Sequence, residues 1–428
     1  MGAMFLPDVE EELVDTSGFL RAQRERLVRS RTAGLSDLAR LDERLEAQVD
    51  ALLLSAEAEG AAVTVARASG ERFVEAFLAV RLRRGALLHE VATRAAQAPG
   101  EGRGPLRDVV AALGWAPWAD ADEATTEGTG AQGVMAALRL HAMRVHRRDP
   151  GELLALRAAS GDGSVRAAAL RAIGELGRAD LMGLLLDALD DKDARCHAWA
   201  AWSGALLGAP RCAAALVAIC RAGCAPLGER ALEVAVRAVA PDEAAALLRE
   251  LAATGQERRA IAVAGGWGDV RVVPWLLASA ARPELARLVG WAFTAMTGVD
   301  LSKRALAAAP PPGFREGPTD SPLEHDVSMD PDASLPWPDP ARVGALWAKI
   351  ATSFLPGVRY RFGHPIEDAT ALAAAVEASQ VLRAAAALDE FRGQRRGPLF
   401  SVRAPAFRQS RLLRSREGGE GGADVAPH

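Results

Sequence analysis

Apolar residues recur at helical spacing through most of the chain. In one stretch Val165, Ala169, Ala172, Ile173 and Leu176 share a face, with Arg166, Arg171 and Glu175 turned elsewhere. Gly177 suits the positive φ of a helix end, and Leu181, Leu184, Leu185, Ala188 and Leu189 form a second run closed by Asp190 and Asp191. Ser164 is the expected N-cap of the first helix. The plan repeats: Arg195 leads to Trp199, Trp202 and Gly208; Arg230 leads to Val234 and Ala238. Arg259 leads to Ala262 and the Gly265-Gly266-Trp267-Gly268 break, and Arg287 leads to Trp291, Met296 and Gly298. With Arg107, Arg139 and Arg166, these arginines recur at intervals of about 30 residues. A single pair of short helices cannot bury its apolar face alone. The period therefore predicts an all-α solenoid of roughly six to seven stacked helical hairpins.

Outside the repeats the pattern changes. Leu35, Leu38, Leu41, Leu45, Val49 and Leu52 predict a long amphipathic helix opened by Ser36 and Asp37. It falls in an N-terminal helical cap, residues 1–60, with a polar outer face that stops further stacking. The solenoid spans 61–303, interrupted by a polar loop from Asp120 to Gly130, and an acidic, Pro-rich connector spans 304–341. Residues 342–428 form a small closing module with a basic, partly disordered tail. There Val343, Leu346, Trp347, Ile350 and Phe354 make a helical stripe, and Pro365 to Phe391 reads as a long Ala-rich helix. Val358, Tyr360 and Phe362 alternate like a strand, as do Phe400 and Val402, which predicts a ribbon pairing the two.

Charge adds one relationship. Between Glu316 and Asp339 lie seven acids (Glu316, Asp320, Glu324, Asp326, Asp330, Asp332, Asp339) and no cation. Between Phe391 and Arg416 lie eight arginines (Arg392, Arg395, Arg396, Arg403, Arg408, Arg411, Arg414, Arg416) and no acid. The pattern suggests that the tail folds over the connector. The net charge of −4 excludes a globally basic nucleic-acid binder. Lysine occurs only at Lys192, Lys303 and Lys349 among 51 cationic residues. That bias points to GC-rich bacterial coding, so arginine abundance is not itself phosphate recognition. The N-terminus lacks a basic start and an apolar core, and no run reaches the 18 apolar residues of a membrane span. A cytoplasmic location is expected.

An arginine in each unit that meets an acid near a turn resembles the HEAT-repeat family. Asp162, Asp191, Asp193 and Glu229 are the candidate acids for Arg166, Arg195, Arg230, Arg259 and Arg287. More specific segments follow: 37–47 (DLARLDERLEA), Trp199-Ala200-Ala201-Trp202-Ser203, Val273-Pro274-Trp275-Leu276, 292–301 (AFTAMTGVDL), 335–340 (LPWPDP) and 398–405 (PLFSVRAP). Through them the chain resembles, over nearly its full length, a proteobacterial family of HEAT-repeat-like conserved hypothetical proteins with no assigned activity. Members are often encoded near type VI secretion effectors and adaptors. The resemblance implies an accessory or chaperone-like binding role rather than an enzyme.

No catalytic arrangement stands out. Cys196, Cys212, Cys220, Cys224 and His197 crowd together, but no Cys-x₂-Cys pair exists and their spacing matches no common zinc module. His141 lies on the Val134, Leu138, Val145 stripe, where a satisfied imidazole is commoner than a general base. Phosphate-loop and calcium-loop spacings are absent, so neither metal nor cofactor is expected. Trp199, Trp202, Trp267, Trp275 and Trp291 are the candidate anchors for a protein or peptide partner, against the alternative of packing between helices. The favoured reading is a non-enzymatic protein-binding scaffold, for a secretion cargo or adaptor. The alternatives are nucleic-acid binding through the solenoid arginines and basic tail, and an enzyme accessory resembling bilin lyases.

Overall fold

The computed structural model describes residues 7–58, 61–98, 106–126, 133–317, 330–367, 370–394 and 397–417. Helices α1 (Pro7–Leu27) and α2 (Leu35–Ala58) form a long hairpin, followed by α3 (Ala61–Ser69). Seven hairpins come next. They are α4 (Arg72–Arg81) with α5 (Gly85–Gln97), α6 (Arg107–Trp115) with α7 (Trp118–Thr126), and α8 (Val134–Val145) with α9 (Glu152–Ala158). Then come α10 (Gly163–Leu176) with α11 (Met182–Asp187), and α12 (Ala194–Leu206) with α13 (Pro210–Arg221). The last two are α14 (Glu229–Ala238) with α15 (Pro241–Leu251), and α16 (Glu257–Trp267) with α17 (Val273–Ser279). Helix α18 (Pro283–Thr297) extends the stack, and α19 (Pro340–Ile350), α20 (Gln380–Gln394) and α21 (Ala406–Glu417) complete the described helices.

Each even helix from α4 to α18 packs on the next even helix, and each odd helix from α5 to α17 packs on the even helix that follows it. The result is a two-layer solenoid with sequence neighbours side by side. Small residues set the spacing in the even row. A Cβ on Gly174 would meet the Ser203 backbone, and one on Gly265 would meet Trp291 and the Ala292 backbone. Such contact lets helices approach closely while Leu170, Ile173, Leu206, Leu232 and Ile261 fill the interior. Among the described residues no helix is long and apolar enough to cross a membrane.

The even row also carries the rest of the chain. Helices α1 and α2 pack on α4, α20 packs on α14 and α16, and α21 packs on α2. After α19 the chain runs back along the ends of the even helices in reverse order. Phe362 N and Gly363 N bond to Ala295 O and Met296 O at 2.8 and 2.9 Å, and Tyr360 N to Gly268 O at 2.8 Å. Arg392 donates to Ala205 O and Leu206 O at the end of α12. Leu399 N reaches Glu175 O at 2.8 Å, and Arg408 reaches Gly114 O at 2.9 Å. Final-turn carbonyls lack intrahelical partners and carry partial negative charge, so amides and guanidinium groups are suited to them. At the other side, the turn after α1 reaches the last unit. Gln380 N bonds to Ala33 O at 3.0 Å, Arg31 pairs with Asp332 at 3.4 Å, and Arg31 lies 5.3 Å from the Trp291 ring centroid.

Several expectations change. Asp162, not Ser164, caps α10, accepting from Ser164 N at 2.8 Å, because its carboxylate stands one position outside the helix. The predicted loop from Asp120 begins as helix α7: Ala121, Ala124 and Thr125 are buried, and Asp120 is held by Arg81 and Arg83. Residues 127–130 of that loop lie outside the described residues. The ribbon pairs Tyr360–Arg361 with His364–Pro365, not with Phe400 and Val402. Its two central residues, Phe362 and Gly363, both have positive φ, which suits a two-residue turn that sends the strand straight back. The Ala-rich helix starts at Gln380, not Pro365, since Pro365 is committed to the ribbon and the first α20 amides bond to Ala33 and Ser30.

Among the described residues the tail does not lie on the connector. Asp330 and Glu316 pair with Arg287, and Asp332 with Arg258 and Arg31. Arg403 pairs with Glu25 and Arg408 with helix-end carbonyls. Solenoid arginines closer at hand satisfy the connector acids. Asp320, Glu324, Asp326, Arg395 and Arg396 lie outside the described residues.

Candidate functional site

Shared carboxylates organise the inner side of the even row. Helix α10 places Glu175 one turn after Arg171, and α8 ends with Arg144 close to Arg147. Glu175 Oε1 accepts from Arg144 at 3.0 Å and Arg171 at 2.7 Å; Oε2 accepts from Arg144 at 2.9 Å and Arg147 at 2.7 Å. Burial alone would push this carboxyl up. Arg144, Arg171 and Arg147 overcome that and hold it well below the usual carboxylate range. Asp389 of α20 is a second centre, bonded to Arg237 at 2.7 Å, Arg359 at 2.5 Å and Arg361 at 2.7 Å. Burial opposes its charge, yet the three arginines hold it down to about 2. The first knot ties α8 to α10, and the second joins the C-terminal module to the solenoid.

Beside Glu175, the arginines Arg171, Arg230 and Arg403 lie within electrostatic reach of one another. Arg171 stacks over Trp199, its guanidinium carbon 4.4 Å from the ring centroid, and Trp199 meets Trp202 edge-on at 5.6 Å. Trp202 Nε1 donates to Arg230 O at 3.1 Å, fixing the start of α14. The half-buried Arg230 side chain has no ion pair or hydrogen bond among the described residues. Burial, then Arg171 and Arg403, lower it to about 9. Arg403 enters from the returning C-terminal segment, which Arg24 anchors through Arg403 O at 3.2 Å and Ala404 O at 2.9 Å. Its guanidinium shares Glu25, at 3.1 Å, with Arg21 and Arg107. Glu233 lies within reach of the same arginines, and burial together with Glu229 raises its carboxyl despite Arg237, Arg230 and Arg403.

The tryptophans proposed as partner anchors divide. Trp202, Trp267 and Trp291 are buried and pack between helices, so their rings offer no surface for a partner. Trp199 and Trp275 are half-buried, and Trp199 lies under the Arg171 guanidinium. The repeat arginines also diverge. Arg166 meets Asp191 of the next unit at 2.9 Å, Arg195 meets Asp193 at 3.3 Å, and Arg259 donates to Gly223 O at 3.2 Å. Arg287 is buried against Glu316 and Asp330, and Arg230 is the member of the set whose side chain makes no ion pair or hydrogen bond among the described residues. Most of these arginines are spent on the fold itself and do not make a continuous basic stripe for nucleic acid.

The four cysteines are buried free thiols. Cys196 Sγ contacts Gly163 O at 3.2 Å, Cys212 packs under Gly204, and His197 Nδ1 lies 2.7 Å from Leu189 O. Among the described residues no three of His, Cys, Asp or Glu converge to hold a metal ion. His141 is half-buried, and desolvation followed by Arg144 and Arg171 keeps its imidazole well below its ordinary value. Sequence reading did not single out Arg403, Glu25 or Arg171 as parts of one site. The arginine-rich tail is the available signal for Arg403, and among the described residues it pairs with Glu25 and not with the connector.

Comparison with known proteins agrees with the architecture. A family described as HEAT repeats matches residues 151–237, the stretch from α9 through most of α14. The chain is similar to HEAT repeats there, and such repeats commonly act as protein-interaction scaffolds. Neither the curated proteins nor the solved structures give a significant match.

Proposed function

We propose that this chain is a non-enzymatic scaffold that binds a protein or peptide through its solenoid. The supporting observation is that α10 and α1 already hold a non-helical segment of the chain, residues 397–405, through the Leu399 N to Glu175 O bond and the Arg24 bonds to Arg403 O and Ala404 O. A surface that receives its own chain in this manner has the chemistry to receive another, since helix-end carbonyls and buried carboxylates face it. The similarity to HEAT repeats supports the same reading. The resemblance to proteins encoded near type VI secretion genes makes a secretion effector or adaptor in a bacterial cytoplasm the first partner class to test. Trp199 and Trp275, partly open, are the aromatic contacts proposed for it.

The test is affinity capture from the native cytosol with the full chain and with a Trp199→Ala, Trp275→Ala variant. A stoichiometric protein retained by the full chain and lost with the variant supports the reading. Repeated recovery of no stoichiometric protein, with the chain folded by circular dichroism, overturns it.

A further inference from the structure

The opening turn of α20 carries a buried guanidinium group without a counter-charge. We propose that Arg383, with Ser379 beside it, binds a small monovalent anion of the halide class where α20 begins.

Charge balance is the first reason. Arg383 is fully enclosed, at 0% exposure. Its Nη1 donates to Val376 O at 2.9 Å and to Ala378 O at 3.3 Å. Its Nε and Nη2 are buried and find no acceptor among the described residues. Glu377 attracts the group only from a distance, and burial lowers it to about 10. The other buried arginines are treated differently. Arg21 meets Glu25, Arg24 meets Asp42, Arg144 meets Glu175, Arg287 meets Glu316 and Asp330, and Arg361 meets Asp389. Arg383 is the exception among the described residues. A lone charge taken out of water is costly until an ion of opposite sign joins it.

Position is the second. Because Nη1 bonds to Ala378 O, the guanidinium lies against the peptide that leads into α20, and Nε and Nη2 belong to that same planar group. Ser379 and Gln380 precede Arg383 by four and three residues, so all three share one face of the turn. Arg383 N bonds to Ser379 O at 2.9 Å, which closes it. The Ser379 hydroxyl is buried there without a partner, so donors from two side chains meet at the helix start. Gln380 Oε1 is also unpaired, a single acceptor among several donor hydrogens. Surplus donors at the positive end of a 15-residue helix suit an anion better than a water molecule. The amides of Gln380 and Val381 are taken by Ala33 O and Ser30 O, which leaves the side-chain donors for the ion. Ala371, Leu372, Ala375, Ala378 and Leu382 belong to the main core, and that apolar enclosure favours a monatomic ion over phosphate.

Thermal melting of the full chain in sodium bromide, chloride, phosphate and gluconate at equal ionic strength provides the test. The expected result is a saturable rise in melting temperature with bromide and chloride over gluconate. Arg383→Met should abolish it, and Arg383→Lys, which keeps the charge and loses the fork, should weaken it about tenfold. Arg411→Gln, at an exposed arginine of α21, should leave it unchanged. If Arg383→Met does not fold, Ser379→Ala takes its place, with a weaker halide response expected. Crystals of the full chain grown with bromide should show an anomalous peak within hydrogen-bond reach of Arg383 Nε or Nη2. Water alone at that position, equal melting in halide and gluconate, or a larger effect of phosphate than of bromide overturns the assignment. A full halide response in folded Arg383→Met or Ser379→Ala overturns it as well.

Discussion

Arg237, near the end of α14, donates its Nε–H to Asp389 at 2.7 Å across 152 residues of chain. The two side chains keep only 2% and 0% exposure. Arg361 and Arg359 complete the ring around the same carboxylate. Loss of the anion from such a centre costs far more than loss of any one cation, because Arg237 and Arg361 would be left buried without the carboxylate that balances them. Asp389→Asn should therefore cost about 3–5 kcal/mol. The urea midpoint of the variant measures it, and a change below about 1 kcal/mol would show that water replaces the carboxylate.

Acid should weaken the protein in two ranges. His146 is half-buried beside Arg408 and its imidazole is lowered from 6.5 to about 4 by desolvation, then by Arg408. The folded form therefore resists a proton that the unfolded chain takes up. Stability is complete above about pH 6.5 and declines as pH falls toward 4. Asp389, lowered from 3.8 to about 2, adds a second decline between those values. Urea midpoints of the parent and His146→Gln across pH 7 to 3 check this. The variant should show a flatter slope above pH 4 and an unchanged one below.

Gly174 and Gly183 make a matched pair. Alanine is the better helix former by about 1 kcal/mol in a helix interior. At Gly183 of α11 nothing lies within 4 Å of an added Cβ, so Gly183→Ala should be neutral or stabilising. At Gly174 the added atom would meet Ser203 Cα at 2.8 Å, so Gly174→Ala should destabilise by about 1–3 kcal/mol by separating α10 from α12. Equal melting temperatures for the two variants would mean that these helices slide apart without resistance.

Arg408→Gln removes the donors to Gly114 O and Ala116 O at 2.9 and 3.4 Å, leaving the end of α6 uncovered. A loss of about 1–3 kcal/mol is expected. Hydrogen exchange should quicken in α21 and the last turn of α6, with α16 unaffected. Faster exchange spread evenly over the solenoid would refute this local effect.

The solenoid itself was legible from residues such as Val165, Ile173 and Leu176, because helix periodicity and a repeat near 30 residues are local properties. So was α2, whose Leu38, Leu45, Val49 and Leu52 are buried as their shared face predicts. The charge cluster beside α10 was not. Its charges come from positions as distant as Glu25, Arg171 and Arg403, and only the return path of the C-terminal segment brings them together. The acidic connector and basic tail were conspicuous, yet charge complementarity alone named the wrong pairs. Arg287, Arg258 and Arg31 had first claim on the acids. Tryptophan spacing likewise could not separate the half-open Trp199 from the enclosed Trp202 three residues on.

Most solenoids tolerate gain or loss of a unit, because each repeat touches only its neighbours. Here Ala33 and Arg31, from the first hairpin, meet Gln380, Asp332 and Trp291 at the far end. That junction counts the repeats: one more or one fewer would shift the far partners by a whole helix spacing and leave both edges without their match. Evolution of this chain by repeat duplication is thus closed off, and change must come through side chains within a fixed frame.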